Sequence, residues 1–484
     1  MFGASSGTLA AEVLRGLANG WFRYYLRPWG GEAIRPPAPV VAELGGVHAD
    51  IAGRLRVSPS DRWWGVGAPR PDGGAVRALL VADNVPWPTL GGGLIRLAQV
   101  VETTASVADL DLFVLHEPRR TKVVVPSEVR VHRSTGAPYP RNSRQLRWRL
   151  EWALRRGMPL ELAMARADLA PQLALRDWAR PPYDVVWFST APMFEWTGRP
   201  DFGPTIVDLM DLEDEKARLR SGLLADRLRR GEPEGSVRDR IAWLQARLNG
   251  RDWRRYQHAM AERVERVVVP SREDAERSGL ANVDVIPNSY PRTHRPLGNP
   301  SMAGPPVILF QGSLDYPPNI DGAKWLTNEI APRIRAAVPG SEVRLVGRAA
   351  TSVKWLHQAG VVNVVGQVPS MEDELARASV AVVPVRYGSG TRVKILESFA
   401  HRVPVVSTTV GAEGLDVEDG VHLLLADDPV EFAAATARLL GDATLRVRLT
   451  DAARERYLDR YDGRAADEEL RRLLVEVAGS RTLS

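Results

Sequence analysis

Short apolar, β-branched runs alternate with longer helix-like segments from Val76 onward, and this alternation predicts parallel sheets covered by helices. Each run is short and apolar enough to be a buried strand. The first set comprises Val76–Ala82, Leu110–Leu115, Val185–Ser189, Thr205–Leu209 and Arg266–Val269. The second set comprises Val307–Phe310, Val343–Val346, Val361–Val365, Val380–Val383 and Val403–Ser407. Two separate parallel β-sheets, each covered by helices, are therefore expected, which is the α/β fold class.

A proline-rich connection separates the two sets of runs. Residues 287–306 contain six prolines and no apolar period, which is typical of a linker between domains. The chain has 484 residues, more than the roughly 250 to 300 that one hydrophobic core usually serves. We predict an N-terminal domain over residues 76–290, a C-terminal domain over residues 291–464, and a C-terminal helix and tail over residues 465–484.

Capping signals place two of the helices. Ser271 and Ser370 each precede an acidic residue by three positions, a pattern in which the serine side chain caps the start of a helix. Gly279 is well placed to end the first of these helices.

Residues 1–75 do not follow the alternation of strands and helices. Trp21, Tyr24 and Trp29 lie among Arg23 and Arg27, a mixture found where a segment lies on a membrane interface. Packing of the same aromatic side chains against the body of the protein is the other interpretation. The role of this N-terminal extension stays open at this point.

Composition narrows the class of protein. No cysteine is present, which excludes disulfides and thiolate chemistry. No run approaches the roughly 18 uncharged apolar residues of a membrane-spanning helix, and Met1–Ala10 does not resemble a secretory signal. We therefore expect a cytoplasmic protein, with peripheral contact to a membrane as the alternative. The net charge of +5 is compatible with phosphate-bearing ligands.

The segment VAVVPVRYGSGTRVKILESFAHRVPVVSTTVGAEG, residues 380–414, carries the strongest chemical signal. A strand ends at Pro384, a Gly/Ser turn follows, and a helix is predicted to begin near Thr391. Such a turn places free backbone N–H groups and the positive end of a helix at the carboxyl edge of a sheet, where phosphate binds well. Arg392 and Lys394 would lie in the first helical turn, which is unfavourable for the helix dipole unless an external anion offsets it.

Glu397 follows Lys394 by three residues, nearly one helical turn. Its carboxylate could accept hydrogen bonds from the hydroxyl groups of a sugar or ribose. A surface pair between Lys394 and Glu397 on a solvated helix is the alternative.

This segment and its surroundings resemble the C-terminal half of the family 4 glycosyltransferases and related polysaccharide-building sugar transferases. The resemblance covers about Val307–Tyr461 and includes FQGSLDYPPNIDGAKWL, VRLVG, VVGQVPSMEDELARASVAVVP, GTRVKILESFAHRVPVVST and GAEGLDV, in that order. It implies the GT-B fold, in which two Rossmann-like domains face a central cleft. The N-terminal domain would then bind the acceptor and the C-terminal domain the nucleotide-sugar donor.

The resemblance also assigns roles to individual residues. Arg392 and Lys394 would hold the donor diphosphate, and Glu397 would hold the ribose. The remaining donor-side residues would be Gly312, Gly347, Gly366, Gln367, Ser389, Gly390 and Thr391. Ser389 departs from the family pattern, since many members have a glutamate there that contacts the donor sugar.

Similarity is looser in the N-terminal half. VADNVPWPTLGGGLIRLAQVV resembles the family's acceptor-side loop, in which Gly91, Gly92 and Gly93 would let the backbone approach the donor phosphates. A flexible turn before a helix over Leu94–Ala108 is the alternative for these glycines. Asp208 and Asp211 are further acceptor-side candidates, although Asp211 could simply cap a helix.

The predicted function is transfer of a sugar, with retention, from a nucleotide diphosphate sugar to a hydroxyl acceptor in glycan or glycolipid assembly. The acceptor would be a glycan, a lipid-linked glycan or a small molecule. No HExxH, Walker lysine loop or complete GxGxxG motif is present, so we expect no metal or other cofactor. The aromatic residues are not interleaved with a basic stripe, so we expect no nucleic-acid partner. A nucleotide-sugar epimerase on the same fold and a non-catalytic nucleotide- or glycan-binding subunit are the alternatives.

Overall fold

The computed structural model describes residues 76–87, 89, 91–115, 125–127, 129–137, 158–163, 169–230, 237–291, 304–388 and 390–479. The predictions for the N-terminal extension over residues 1–75 and for Ser389 lie outside these residues, as does most of the connection predicted over residues 287–306. Within the described part of the chain, no helix is both long enough and apolar enough to cross a membrane.

The N-terminal half forms a parallel sheet with strand order β3-β2-β1-β4-β5-β6-β7. Its strands are β1 (Arg77–Ala82), β2 (Asp109–Leu115), β3 (Val131–Ala137), β4 (Val185–Phe188), β5 (Thr205–Asp208), β6 (Arg266–Val269) and β7 (Val283–Val285). Its helices are α1 (Gly92–Val107), α2 (Leu160–Ala163), α3 (Ala170–Trp178), α4 (Ala191–Trp196), α5 (Glu213–Arg230), α6 (Val237–Ala261) and α7 (Arg272–Ser278).

The C-terminal half forms a second parallel sheet with strand order β10-β9-β8-β11-β12-β13. Its strands are β8 (Val307–Gln311), β9 (Glu342–Val346), β10 (Val362–Gly366), β11 (Val380–Val383), β12 (Val405–Ser407) and β13 (Leu424–Leu425). Its helices are α8 (Pro317–Trp325), α9 (Ala331–Ala337), α10 (Met371–Arg377), α11 (Val393–Ala400), α12 (Thr409–Ala412), α13 (Pro429–Gly441) and α14 (Ala443–Arg460), followed by α15 (Arg464–Gly479). A π-helical turn, Leu326–Ile330, joins α8 to α9.

Central strands are mostly apolar because helices cover both faces of each sheet. Along β1, Leu79 and Val81 lie in one hydrophobic cluster while Leu80 and Ala82 lie in the cluster on the opposite face. A strand buried on both sides loses the alternation of polar and apolar residues that a half-exposed strand shows. Each of the ten predicted runs coincides with a strand of the structure, within a residue or two at most ends.

The predicted helix caps are confirmed. The Asp274 backbone N–H donates to Ser271 Oγ at 3.0 Å, and the Asp373 N–H donates to Ser370 Oγ at 3.2 Å. Gly279 ends α7 with φ +63°, the left-handed conformation that glycine adopts without steric cost.

The C-terminal helix α15 packs on the N-terminal sheet. Leu470 and Leu474 are buried in the same cluster as Leu97 and Val100 of α1. The Asp467 carboxylate accepts hydrogen bonds from Gln99 Nε2 at 3.0 Å and Thr103 Oγ1 at 2.9 Å. The chain therefore crosses between the two halves a second time, which ties them together on the side of α1.

Candidate functional site

The loop between β11 and α11 forms the centre of the candidate site. Helix α11 begins at Val393, two residues later than the predicted start at Thr391. Arg392 is the N-cap residue, and Lys394 is the second residue of the first turn. The helix starts late because Gly390 is left-handed, with φ +76°, and Arg392 is extended. Thr391 is buried between them, and its carbonyl oxygen accepts a hydrogen bond from Asn288 Nδ2 at 3.1 Å.

Lys394 is a partly exposed amine whose nearest contacts are neutral groups. Its Nζ donates a hydrogen bond of 2.8 Å to Asn319 Oδ1 and lies 4.6 Å from the centre of the Phe310 ring. Among the described residues, Lys394 forms no ion pair within 4.0 Å. The side chain keeps some solvent contact, yet the protein packed around it lowers the pKa of the amine from 10.5 to about 7, and the Arg392 guanidinium acts in the same direction. An anion placed here would restore the charged form.

Arg392 is held against its own loop. Its Nη1 donates to the carbonyl oxygen of Gly390 at 2.9 Å. A Cβ atom at residue 388 would lie 2.5 Å from Arg392 Nη2, so the guanidinium occupies space that only a glycine at this position leaves open. The two predicted cations therefore lie at the opening of α11, where backbone N–H groups of the first turn lack partners within the helix.

Glu397 is positioned by two neutral donors. Tyr290 OH donates to Oε1 at 3.1 Å, and Gln311 Nε2 donates to Oε2 at 2.8 Å. Burial raises the pKa of the carboxyl group to about 6, although these two hydrogen bonds act against the rise. Each carboxylate oxygen can accept a further hydrogen bond, so a ribose could bind here as the resemblance implies. The alternative of a surface pair between Lys394 and Glu397 is wrong, since Lys394 is hydrogen-bonded to Asn319 instead.

Three predicted donor-side glycines lie together at the ends of β8, β9 and β10. The Gly347 N–H donates to the Gly366 carbonyl oxygen at 2.8 Å. A Cβ atom at Gly347 would overlap the carbonyl oxygen of Gly312, and one at Gly312 would lie 3.0 Å from Lys394 Nζ. Close approach of backbone segments beside the lysine therefore requires glycine here. Gln367 follows β10 and is exposed.

The glycine-rich turn of the N-terminal half faces this loop. Gly91 has φ +114°, and a Cβ atom on it would lie 3.9 Å from Ser313 Oγ. Gly92, the first residue of α1, would place a Cβ atom 3.0 Å from Val393. Gly93 is exposed with open space around it. The starts of α1 and α11 therefore meet across the cleft, with Gly91 and Gly92 at the contact.

Asp208 does not have the predicted acceptor-side role. Its two oxygens accept hydrogen bonds from Arg96 Nε and Nη2 at 2.8 and 2.9 Å, and both side chains are buried. Arg96 also donates to the Ile286 carbonyl oxygen and to Asn288 Oδ1. The ion pair thus fixes α1 to β5 and orients Asn288, which in turn bonds to Thr391. Asp208 is therefore a buried residue that stabilises the site through Arg96 and Asn288.

Asp211 lies in the cleft, in contact with the C-terminal half. Its Oδ2 accepts a hydrogen bond from Tyr316 OH at 3.0 Å and lies 3.5 Å from Lys216 Nζ. Its Oδ1 lies 2.8 Å from where a Cβ atom would be on Gly390. The alternative that Asp211 only caps a helix does not describe these contacts.

Several residues of the site were not predicted from the sequence, namely Tyr290, Gln311, Tyr316 and Asn319. Gln311, Tyr316 and Asn319 all lie in the FQGSLDYPPNIDGAKWL motif. The motif was recognised in the sequence, but these three residues were given no role. Within the described residues, no group of three or more His, Cys, Asp or Glu side chains could hold a metal ion.

A family match lies within the second half of the chain. Residues 305–442 match the family described as glycosyl transferases group 1. The chain is also 29% identical over 135 residues to an uncharacterized 44.6 kDa protein in the cps region of Klebsiella pneumoniae. That alignment covers 26% of this chain and 35% of the relative, so the chain spans about a third of the relative's length.

Two solved structures share the fold at low sequence identity. Sucrose-phosphate synthase from Thermosynechococcus elongatus aligns over 84% of this chain and 100% of its own, with a TM-score of 0.61 and 18% identity. HepE from Anabaena, solved with UDP and glucose, aligns over 82% and 99%, with a TM-score of 0.51 and 15% identity. The predicted GT-B fold with two Rossmann-like domains is confirmed. Residues 305–442 match the group of sugar transferases that the sequence resembles.

Proposed function

We propose that this chain moves a sugar from a nucleoside diphosphate sugar to a hydroxyl acceptor. The match of residues 305–442 to the glycosyl transferases of group 1 supports this proposal. The donor would bind in the C-terminal half and the acceptor would enter from the N-terminal half. The predicted domain limits of 76–290, 291–464 and 465–484 remain part of this proposal. The acceptor is proposed to be a growing glycan, in keeping with a relative found in a cps region.

The environment of Lys394 supports this proposal more than any other observation. The Lys394 amine has an amide and an aromatic ring as its nearest neighbours and forms no ion pair within the described residues. It loses hydration, and the attraction of Glu397 does not offset that loss. A diphosphate at the opening of α11 would supply that countercharge, together with hydrogen bonds from the helix N–H groups. Arg392 lies at the same helix start and would pair with the remaining negative charge of the diphosphate.

The chemistry proposed for this geometry is neutralisation of the leaving group. As the bond between the anomeric carbon and the β-phosphate oxygen breaks, negative charge grows on the diphosphate beside Lys394 and Arg392. The acceptor oxygen forms the new bond to the anomeric carbon on the same face of the sugar, so the configuration is retained. The acceptor proton passes to the leaving phosphate. The two cations would carry out this neutralisation without a divalent metal ion.

Arg392→Ala is expected to lower kcat/KM for the donor about ten- to hundredfold, since a charged hydrogen bond is worth roughly 1.5 to 3 kcal/mol. Steady-state kinetics with varied donor measures the effect. Arg438→Ala, which removes an exposed arginine on α13, is the matched control and should leave kcat/KM unchanged. Unchanged kinetics in a folded Arg392→Ala protein would contradict the role of this residue.

Binding of a nucleoside diphosphate is expected to weaken as the pH rises above 7. The free protein has a Lys394 pKa of about 7, and a bound phosphate raises it. Above pH 7 the complex therefore holds more protons than the free protein, and its formation takes up as much as about one proton. Calorimetry in two buffers of different ionisation enthalpy measures this uptake. Equal uptake by wild type and Lys394→Met would assign the proton to another group.

A further inference from the structure

The loop that opens α11 receives a carboxylate from the opposite half of the molecule. Asp211 follows β5 in the N-terminal sheet, yet its Oδ1 lies 2.8 Å from the position of a Cβ atom on Gly390. The Met210 carbonyl oxygen also lies within contact distance of that Cβ position. Gly390 is two residues from Arg392, the N-cap of α11. Asp211 therefore lies beside the loop that is proposed to hold the phosphates (the phosphate anchor).

The carboxylate is oriented by one of its oxygens only. Oδ2 accepts the hydrogen bond from Tyr316 OH at 3.0 Å and lies 3.5 Å from Lys216 Nζ. Oδ1 accepts no hydrogen bond from any residue that the structure describes, and the side chain is 30% exposed. Two contacts on one oxygen thus leave the other with its full capacity to accept.

An acid beside a diphosphate site is unfavourable because like charges in a partly desolvated cleft repel each other, and Lys216 provides compensation only at Oδ2. Hydroxyl groups that donate to the carboxylate provide such compensation. The sugar of a nucleotide donor is bonded directly to the β-phosphate, so its hydroxyl groups must lie within a few ångströms of the phosphate anchor. The loop itself, YGSGT over residues 387–391, contains no acidic residue that could serve instead.

We propose that Asp211 recognises the donor sugar by accepting a hydrogen bond from one of its hydroxyl groups at Oδ1, while Tyr316 positions the carboxylate from across the cleft. This inference rests on the proposed function, since it takes a nucleotide sugar at the α11 loop as given. Donor-sugar selectivity would then depend on an N-terminal residue that reaches the sugar when the two halves are together.

The test compares binding of a nucleoside diphosphate with binding of its sugar conjugate, in the absence of acceptor. UDP, GDP and ADP are titrated beside UDP-glucose, GDP-glucose and ADP-glucose by calorimetry, and the pair that binds is used. Asp211→Asn replaces the charged acceptor with a neutral amide oxygen that can still accept a hydrogen bond. It should weaken binding of the conjugate about fivefold, the difference between a charged and a neutral hydrogen bond. Its affinity for the free diphosphate should stay the same or rise, because that ligand carries no sugar and the neutral side chain no longer repels the phosphates.

Tyr316→Phe and Asp226→Asn complete the set. Tyr316→Phe removes the hydrogen bond across the cleft but keeps the Asp211 carboxylate. It should therefore weaken binding of the conjugate less than Asp211→Asn does. Asp226→Asn removes an exposed acid on α5 and should change neither affinity.

Two results would overturn the assignment of Asp211. Equal weakening of diphosphate and conjugate in Asp211→Asn, matched by Tyr316→Phe, would make Asp211 a contact between the halves only. Unchanged binding of both ligands with a raised KM for the acceptor would place Asp211 on the acceptor. Failure of the wild-type protein to bind any of the six ligands would instead contradict the proposed function itself, which separates the two failures.

Discussion

Lys394→Met should lower kcat/KM by about a hundredfold or more while leaving the protein at least as stable as wild type. The amine would stabilise charge that develops on the leaving diphosphate, and removal of one such donor costs on the order of a hundred- to a thousandfold. In the free protein, however, the same amine has lost hydration and forms no ion pair among the described residues, and the attraction of Glu397 does not offset that loss. Methionine keeps the shape of the side chain without a charge to desolvate.

The pH dependence of stability gives this prediction a second measurement. Because the native protein lowers the pKa of Lys394 from 10.5 to about 7, the unfolded chain binds more protons between these pH values. The free energy of unfolding of wild type therefore gains a contribution that rises with pH across this window, and the Lys394→Met protein lacks it. Thermal unfolding of both proteins at about pH 7 and pH 9, beside steady-state kinetics, measures the two effects.

Lys354→Met is the matched control, because it makes the same substitution at an exposed lysine of the C-terminal half. It should leave both kcat/KM and the unfolding temperature unchanged. A Lys394→Met protein that is fully active, or one that is inactive because its unfolding temperature has fallen, would contradict the role assigned to the lysine.

Gly347→Ala should destabilise the C-terminal half by more than about 3 kcal/mol, combining a backbone clash with a strained dihedral angle. Gly347 has φ +147°, and a Cβ atom on it would overlap the Gly312 carbonyl oxygen. The clash involves backbone on both sides, so no side-chain rotation relieves it. Displacement of Gly312 would also disturb Lys394, whose Nζ lies beside it.

The expected fall in unfolding temperature is about 6 to 12 °C, given roughly 2 to 4 °C per kcal/mol for a domain of this size. Gly222→Ala provides the contrast, because Gly222 is an exposed residue of α5 with open space around it. There, alanine should raise stability by about 0.5 to 1 kcal/mol through its higher helix propensity. Similar unfolding temperatures for Gly347→Ala and wild type would show that the loops after β8 and β9 do not touch as described.

The sequence predicted the strands that lie inside the sheets better than those at the edges. Edge strands β3, β7 and β13 were missed because they are polar or very short, as in VHRSTGA over Val131–Ala137 and the two residues Leu424–Leu425. An edge strand is covered on fewer sides and needs fewer apolar residues. Central strands are buried on both faces, so their apolar runs stand out in the sequence.

Within the site, the sequence located single residues but not their partners. The Gly/Ser turn and the residues around α11 were recognisable because they are close together along the chain. Contacts that join distant segments were not, such as Lys394 with Asn319, 75 residues apart, and Arg96 with Asp208, 112 residues apart. Asp208 was misassigned for this reason, since an acid after a strand has the same local pattern whether it faces a ligand or a buried arginine.

Direct observation of a bound nucleoside diphosphate tests the central claim about the opening of α11. In a crystal structure of the complex, phosphate oxygens should lie within about 3 Å of Lys394 Nζ and of the first backbone N–H groups of α11, with Arg392 turned toward them. A nucleotide bound elsewhere, or one whose phosphates point away from Lys394 while the ribose lies far from Glu397, would contradict the assignment of this loop as the donor site.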